Sequence, residues 1–142
     1  MTCLALPWAW QTNTTASADR IYHSSGSGLT TGQQYTASVW AKLSAVGVPI
    51  ALQAADSAGT NYLTSSNVNS TGGWQRLSVT FTANAGSWRI AVRQQAAATG
   101  VLSMTGVMLT EGVTVHGYAD GNAANWIWNG TAGSSTSTGP AL

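Results

Sequence analysis

The chain has 142 residues, a formal net charge of +1 and only 6% charged residues, whereas ordinary soluble domains contain about 25%. One Lys and four Arg cannot form the basic surface that displaces counterions from phosphates, so these numbers exclude a nucleic-acid-binding protein. Seven Trp and a low net charge also exclude a disordered chain. The length predicts one domain that buries roughly 70% of the surface exposed by the unfolded chain.

The N-terminal segment predicts neither a signal peptide nor a membrane span. MTCLALPWAWQTN has no positively charged side chain, and Pro7 interrupts its apolar residues. The single cysteine, Cys3, excludes an intramolecular disulfide and is expected to be a small buried side chain.

Alternation of apolar and polar residues predicts a chain made of strands. Turns rich in Gly, Ser and Asn separate these segments, and no window of a dozen residues has an apolar stripe at helical spacing. The predicted fold class is therefore all-β, an antiparallel β-sandwich of jelly-roll type. In chain order the predicted strands are 4–10, 20–23, 34–43, 49–56, 74–82, 87–95 and 101–109, of which the first, second and last are the weaker ones. The core that strand parity predicts includes Leu77, Val79, Phe81, Trp88, Ile90 and Val92.

The composition changes at about His116, after which Gly, Ser, Asn and Thr dominate. We predict a jelly-roll sandwich over residues 1–115 and an extended tail over 116–142 that leaves the sandwich and makes assembly contacts. Trp126 and Trp128 project to one side of an extended segment. They are candidates for an assembly contact, because an exposed pair of Trp is costly unless it meets a partner. Alternatively, the tail folds back and covers an edge of its own sandwich.

The sequence lacks patterns typical of catalysis or metal binding. No two of the carboxylates Asp19, Asp56, Glu111 and Asp120 are placed by the sequence on one face, and glycoside hydrolysis needs two. Neither histidine accompanies a nucleophile motif. The segment 120–122 resembles the start of an EF-hand loop, but the loop's closing Glu is missing and an ordinary turn explains it. We therefore predict a protein that is not an enzyme and needs no cofactor.

Strand parity also predicts a polar sheet face that carries a Trp. Such a mixture suits a glycan, because an aromatic ring stacks on the C–H side of a pyranose while planar donors take its hydroxyls or carboxylates. An ordinary solvated face, whose long polar side chains resemble such a site, is the alternative interpretation. The candidate glycan-binding residues are Trp40, Lys42, Gln53, Arg76, Arg89, Arg93 and Gln95.

Three stretches resemble a known family in their order and spacing. They are LTTGQQYTASVWAK at 29–42, GGWQRLSVTFTA at 72–83 and TGVMLTEG at 105–112. Together they resemble the carbohydrate-binding-module-like jelly rolls related to galactose-binding domains, over about residues 18–112. Modules of this family often hold a structural calcium through an acidic residue on the closing strand. Here Thr105 or Gly106 stands at that position, so a calcium site is not expected.

The C-terminal segment GYADGNAANWIWNGTAGSSTSTGP, at 117–140, resembles the C-terminal signature of minor tail proteins of phages that infect actinobacteria. This resemblance implies a non-catalytic virion protein on the tail or as a capsid decoration, present as a homo-oligomer. It would contact other virion proteins and attach to host cell-wall glycan, or stabilise the particle without a ligand. The alternative is a carbohydrate-binding module from a secreted polysaccharide-degrading enzyme. The low charge favours a surface that is packed against neighbours in an assembly.

Overall fold

The computed structural model describes residues 2–6, 10–22, 26–133 and 135–140, and the regular elements in these ranges are strands. Cys3 lies outside the residues whose side chains are described, and His23 and residues 7–9 of the first predicted strand lie outside the described ranges. The strands are β1 (Thr2–Leu6), β2 (Trp10–Thr14), β3 (Arg20–Tyr22), β4 (Gly26–Ser27), β5 (Gln34–Leu43), β6 (Pro49–Ala55), β7 (Asn61–Thr64), β8 (Val68–Asn69), β9 (Gln75–Thr82), β10 (Ser87–Gln94), β11 (Gly100–Glu111), β12 (Ile127–Trp128) and β13 (Thr136–Thr138).

Two antiparallel sheets pack against each other as a β-sandwich, which confirms the predicted fold class. The first sheet has the strand order β12-β13-β1-β11-β5-β9, and β2 also pairs with β11. The second sheet has the order β3-β10-β6-β7, with β4 paired to β10 and β8 paired to β6. Within the described residues, no helix is long and apolar enough to cross a membrane.

The hydrophobic core lies between the two sheets, and β5, β6, β9, β10 and β11 supply most of its side chains. The parity predicted from the sequence is confirmed, because the apolar members of each alternating segment point into this core. The six predicted core residues are all buried: Leu77, Val79, Phe81, Trp88, Ile90 and Val92.

A bulge at Gly106 interrupts the regular pairing of β11 with β5. Thr105 lies opposite Trp40 and Met108 lies opposite Ser38, so β11 has one more residue than β5 between these two pairs. Gly106 has a φ of 60°, in the left-handed region that glycine enters without steric cost. Because the extra residue reverses the parity of β11, Met108 points to the outer face of the first sheet.

The C-terminal segment returns to the sandwich. Strand β13 pairs with β1, and β12 pairs with β13, so both extend the first sheet. Trp126 is only 5% exposed and forms a second buried cluster with Met108 and Ala119. The expectation of a tail that leaves the sandwich is therefore wrong. The physical reason is the bulge, which supplies an outward apolar side chain on which the tail packs.

Several short strands were not predicted, namely β4, β7, β8 and β13, and they contain two to four residues each. Segments this short show too few alternations for a period to be recognised. The single strand predicted over 4–10 is divided between β1 and β2.

Candidate functional site

The seven candidate binding residues lie on opposite faces of the sandwich. The outer face of the first sheet carries those of β5 and β9: Trp40, Lys42 and Arg76. The outer face of the second sheet carries those of β6 and β10: Gln53, Arg89 and Arg93. Gln95 follows the end of β10 and is half-buried. The expectation that these residues share one face is therefore wrong. Alternation along a strand shows which side chains point out of the core, whereas strand pairing decides which sheet the strand joins.

The outer face of the second sheet combines an exposed aromatic ring with three arginines. We call it the arginine face and define it by Arg20, Tyr22, Gln53, Arg89 and Arg93. Tyr22 is 44% exposed, and the guanidinium carbons of Arg20 and Arg89 lie 5.3 and 5.1 Å from the centre of its ring. Both distances are within the range of cation–π attraction. Nη1 of Arg20 also donates to Oε1 of Gln53 at 3.4 Å, so the ring, the cations and the amide form one connected surface.

Small side chains form the floor of the arginine face. Ala51, Ala55 and Ala91 point to the same side as the arginines, since Ala51 pairs with Arg93 and Ala55 pairs with Arg89. All three alanines are at most 4% exposed, so longer neighbouring side chains cover them. The guanidinium groups therefore stand above a low apolar floor.

A turn anchors one of these guanidinium groups. Nη2 of Arg89 donates to the backbone carbonyl oxygen of Ser57 at 2.7 Å. Ser57 lies in the turn that follows β6, and its N–H donates a hydrogen bond to Oγ of Ser87 at 3.0 Å. This contact fixes Arg89 beside the Tyr22 ring.

The carboxylates nearest in sequence to the arginine face accept hydrogen bonds from backbone amides. Oδ2 of Asp19 accepts hydrogen bonds from the N–H groups of Thr15 and Ala16, at 2.7 and 2.8 Å. The hydrogen bond from Ala16, and then that from Thr15, lower the pKa of Asp19 below its usual 3.8. Oδ1 of Asp56 accepts from the N–H of Thr60 at 2.7 Å. Both side chains therefore stabilise turns at the ends of strands.

A second aromatic surface lies on the outer face of the first sheet. We call it the tryptophan surface and define it by Trp40, Lys42, Trp74 and Arg76. Trp40 and Trp74 are 39% and 43% exposed, and Nζ of Lys42 lies 5.0 Å from the centre of the Trp74 ring. Nη2 of Arg76 donates to Oγ of Ser38 at 3.0 Å and to the carbonyl oxygen of His116. Arg76 therefore holds the beginning of the C-terminal segment against the sheet.

A groove of about 420 Å³ runs along β9, between that strand and residues 63–68. Leu63, Val68 and Ser78 line it, and Arg76 is the titratable side chain among its described lining residues. None of the arginine-face residues contributes to this lining. The groove is thus separate from the arginine face.

The two candidate tail residues differ in their surroundings. Trp126 is buried within the chain itself, as the alternative of a folded-back tail expects. Trp128 is half-buried, and its Nε1 donates to Oδ1 of Asn122 at 3.3 Å. The neighbouring Ile127 is 66% exposed, so it is the apolar side chain that this segment presents to solvent.

Sequence reasoning did not select Arg20, Tyr22 or Trp74. Arg20 and Tyr22 are two residues apart in the weak predicted strand 20–23, and this spacing was the signal that could have placed both on one face. Trp74 has the parity of Arg76 in the predicted strand 74–82, so the same rule would have included it.

Metal-ligating side chains do not assemble in the part of the chain that the structure describes: no three His, Cys, Asp or Glu residues lie close enough to hold an ion. The position at which the family resemblance would put a calcium ligand is taken up by the bulge at Gly106.

The sequence matches the family model of a carbohydrate binding domain over residues 11–94, which is more than half of the chain, so the protein belongs to this family. Domains of this family are non-catalytic binding modules. The matched region contains all the residues of the arginine face and of the tryptophan surface. No curated protein matches the sequence.

Solved structures with the same fold include a CBM4 module, with a TM-score of 0.57 and 17% identity over 73% of this chain and 84% of the module. The CBM22-1 xylan-binding domain of Paenibacillus barcinonensis Xyn10C has a TM-score of 0.51 and 11% identity, over 77% and 85% of the two chains. The tripod from the baseplate of bacteriophage Tuc2009 has a TM-score of 0.50 and 13% identity, and covers 78% of this chain and 49% of its own. At these identities the likeness establishes a shared fold.

Proposed function

We propose that this chain binds a glycan across the arginine face and performs no catalysis. The observation that carries the proposal is the Tyr22 ring, which is 44% exposed and flanked by the guanidinium groups of Arg20 and Arg89. An exposed aromatic ring surrounded by planar donors is what a sugar requires from a binding surface. Membership of a carbohydrate-binding family supports this role.

In this proposal the parts of the arginine face have different tasks. Tyr22 stacks on the C–H side of a pyranose, while Arg20 and Arg89 donate hydrogen bonds to its oxygens. Gln53 is buried and orients Arg20 by accepting from its Nη1. Because longer side chains cover the three alanines, the sugar meets the Tyr22 ring and the guanidinium groups rather than the sheet itself. Of the residues predicted from the sequence, this site retains Gln53, Arg89 and Arg93, with Gln95 just beyond the end of β10.

We further propose that the chain is displayed on a phage virion, as a minor tail or capsid decoration protein. The signature in residues 117–140 supports this, and so does the likeness of fold to a phage baseplate tripod. The tryptophan surface and Ile127 then supply the assembly contact, since they include exposed aromatic and aliphatic side chains of the first sheet. Trp128 lies beside this contact, whereas Trp126 stabilises the returning tail.

The second candidate is a module of a secreted polysaccharide-degrading enzyme, which the family match and the xylan-binding neighbour favour.

Glycan binding is tested by titrating the purified chain with soluble oligosaccharides and with fragments of actinobacterial cell wall. We expect Tyr22→Ala and Arg89→Gln each to weaken binding at least about tenfold, which corresponds to roughly 1.4 kcal/mol. Trp40→Ala is the matched control, because it removes an exposed aromatic ring from the opposite sheet. Loss of binding in Trp40→Ala alone would move the site to the tryptophan surface. Absence of binding by the unaltered chain would refute a glycan-binding role.

The virion proposal is tested by where the chain is found. We expect mass spectrometry of purified phage particles to detect it in many copies, and Trp40→Ala combined with Trp74→Ala to lower its incorporation. Detection only in culture fluid of uninfected cells, joined to a catalytic domain, would establish the second candidate instead.

A further inference from the structure

The arginine face concentrates positive charge without acidic neighbours. Three of the five Lys and Arg residues of the chain lie on it. Register gives the side chains that share the outer face of β3, β10 and β6, and none of these is acidic. They are Arg20, Tyr22, Arg89, Ala91, Arg93, Ala51, Gln53 and Ala55. In a chain with a net charge of +1, such a cluster is a local feature rather than a consequence of composition.

Two of these cations oppose each other directly. Arg20 pairs with Arg93 in the antiparallel register of β3 and β10. Like charges directly opposite each other destabilise a strand pair. The carboxylates nearest in sequence, Asp19 and Asp56, accept hydrogen bonds from backbone amides at the turns, and neither is among the residues that the strand register assigns to this face.

One hydrogen-bond donor of the Arg93 side chain also lacks an acceptor. Its Nε is buried, and no hydrogen-bond partner for it exists among the described residues. A buried donor that lacks an acceptor destabilises the fold, and more strongly where the group is charged. The guanidinium fork of arginine matches the two oxygens of a carboxylate or phosphate, so an anion on the outer face would engage the terminal nitrogens of Arg20 and Arg93 and separate the two like charges.

We propose that the ligand of the arginine face is an anionic glycan, whose carboxylate or phosphate lies between Arg20 and Arg93 while its sugar ring stacks on Tyr22. This inference rests on the proposed glycan-binding function and specifies the class of glycan. A neutral glycan would leave the Arg20 and Arg93 charges opposed, whereas an anionic one relieves the repulsion and gains charge-assisted hydrogen bonds.

The test uses pairs of polymers that differ only in charge. Polygalacturonate is compared with its methyl-esterified form, and phosphomannan with dephosphorylated mannan, by titration at about 50 and about 500 mM NaCl. We expect one of the acidic polymers to bind at least tenfold more tightly than its neutral partner at low salt, and the preference to shrink at high salt. The first pair reports a carboxylate and the second a phosphate, so the two sources of negative charge are distinguished.

Charge-matched variants separate the site from general attraction. Arg93→Gln is expected to remove the preference for the acidic polymer, whereas Lys42→Gln removes the same charge from the opposite face and is expected to keep it. Equal loss in both variants would mean nonspecific attraction and would overturn the proposal. Equal binding of acidic and neutral polymers that still depends on Tyr22 would refute the anionic ligand and leave glycan binding intact. Failure to bind any of the four polymers would contradict both.

Discussion

Gly139 lies against the indole ring of Trp126, so closely that a β-carbon at residue 139 would overlap the ring. Trp126 is itself packed with Met108 on the outer face of the first sheet. Gly139, near the end of the C-terminal segment, therefore packs on Trp126, an earlier residue of the same segment that is buried against the first sheet. This contact joins the tail to the sandwich through side-chain packing as well as through the pairing of β13 with β1.

Gly139→Ala is expected to lower the free energy of unfolding by about 1–3 kcal/mol, the usual cost of forcing an extra carbon into a packed site. Urea denaturation followed by Trp fluorescence measures the change. Gly117→Ala is the matched control, because a β-carbon there would meet no atom within 4 Å. Equal stability of the two variants would show that the tail does not pack on Trp126.

Trp126→Ala is expected to lower the free energy of unfolding by about 3–5 kcal/mol, since it removes a large side chain that is only 5% exposed. Ile127→Ala, one residue away, should change it by less than about 0.5 kcal/mol, because Ile127 is 66% exposed. Thermal unfolding of both variants provides the comparison. A larger effect of Ile127→Ala would mean that the segment 126–128 is rotated from the orientation described.

Features that follow from the alternation of apolar and polar residues could be predicted from the sequence. Features that depend on strand pairing, or on the bulge at one glycine, could not. The alternation in 34–43 gave the bounds of β5, because one buried face requires every second residue to be apolar. Alternation does not show which sheet a strand joins. It therefore predicts Trp40 and Arg89 on one face, although they lie on opposite faces of the sandwich. The outward position of Met108 follows from a one-residue bulge, which no periodicity reveals.

Gln94→Leu is expected to lower the free energy of unfolding by about 2–4 kcal/mol. The Gln94 side chain is fully buried, and its Nε2 donates to the carbonyl oxygens of Ala96 and Ala98 at 2.8 Å each. Its Oε1 accepts from Oγ1 of Thr14 at 2.6 Å. Leucine has a similar volume but removes the donor to the carbonyl oxygens of Ala96 and Ala98, whereas Oγ1 of Thr14 retains the carbonyl oxygen of Gly100 at 3.3 Å. Each buried polar group without a partner costs about 1–3 kcal/mol.

Gln95→Leu serves as the control for this change, since Gln95 is half-buried and follows the strand. Chemical denaturation of the two variants should separate them clearly. If Gln94→Leu matched the unaltered chain, the loop 95–99 would have to be held by contacts other than this amide.

Asp19 gives the fold a defined dependence on pH. Its carboxylate accepts two backbone hydrogen bonds, which lower its pKa in the folded chain below the usual 3.8. A carboxyl group whose pKa is lower when folded stabilises the fold at every pH above its unfolded value, and this contribution disappears as the pH falls through the folded value. The free energy of unfolding should therefore decline more steeply below about pH 4 in the unaltered chain than in Asp19→Asn.

Urea denaturation at a series of pH values between neutral and strongly acidic measures this difference. Glu111→Gln removes one negative charge from the exposed end of β11 and controls for the change in net charge. If Asp19→Asn lost stability with acid as steeply as Glu111→Gln does, the turn at 15–19 would be held by its backbone contacts alone. A flatter profile for Asp19→Asn only would confirm that the carboxylate stabilises the turn that leads into β3, and with it the position of Arg20 and Tyr22 on the arginine face.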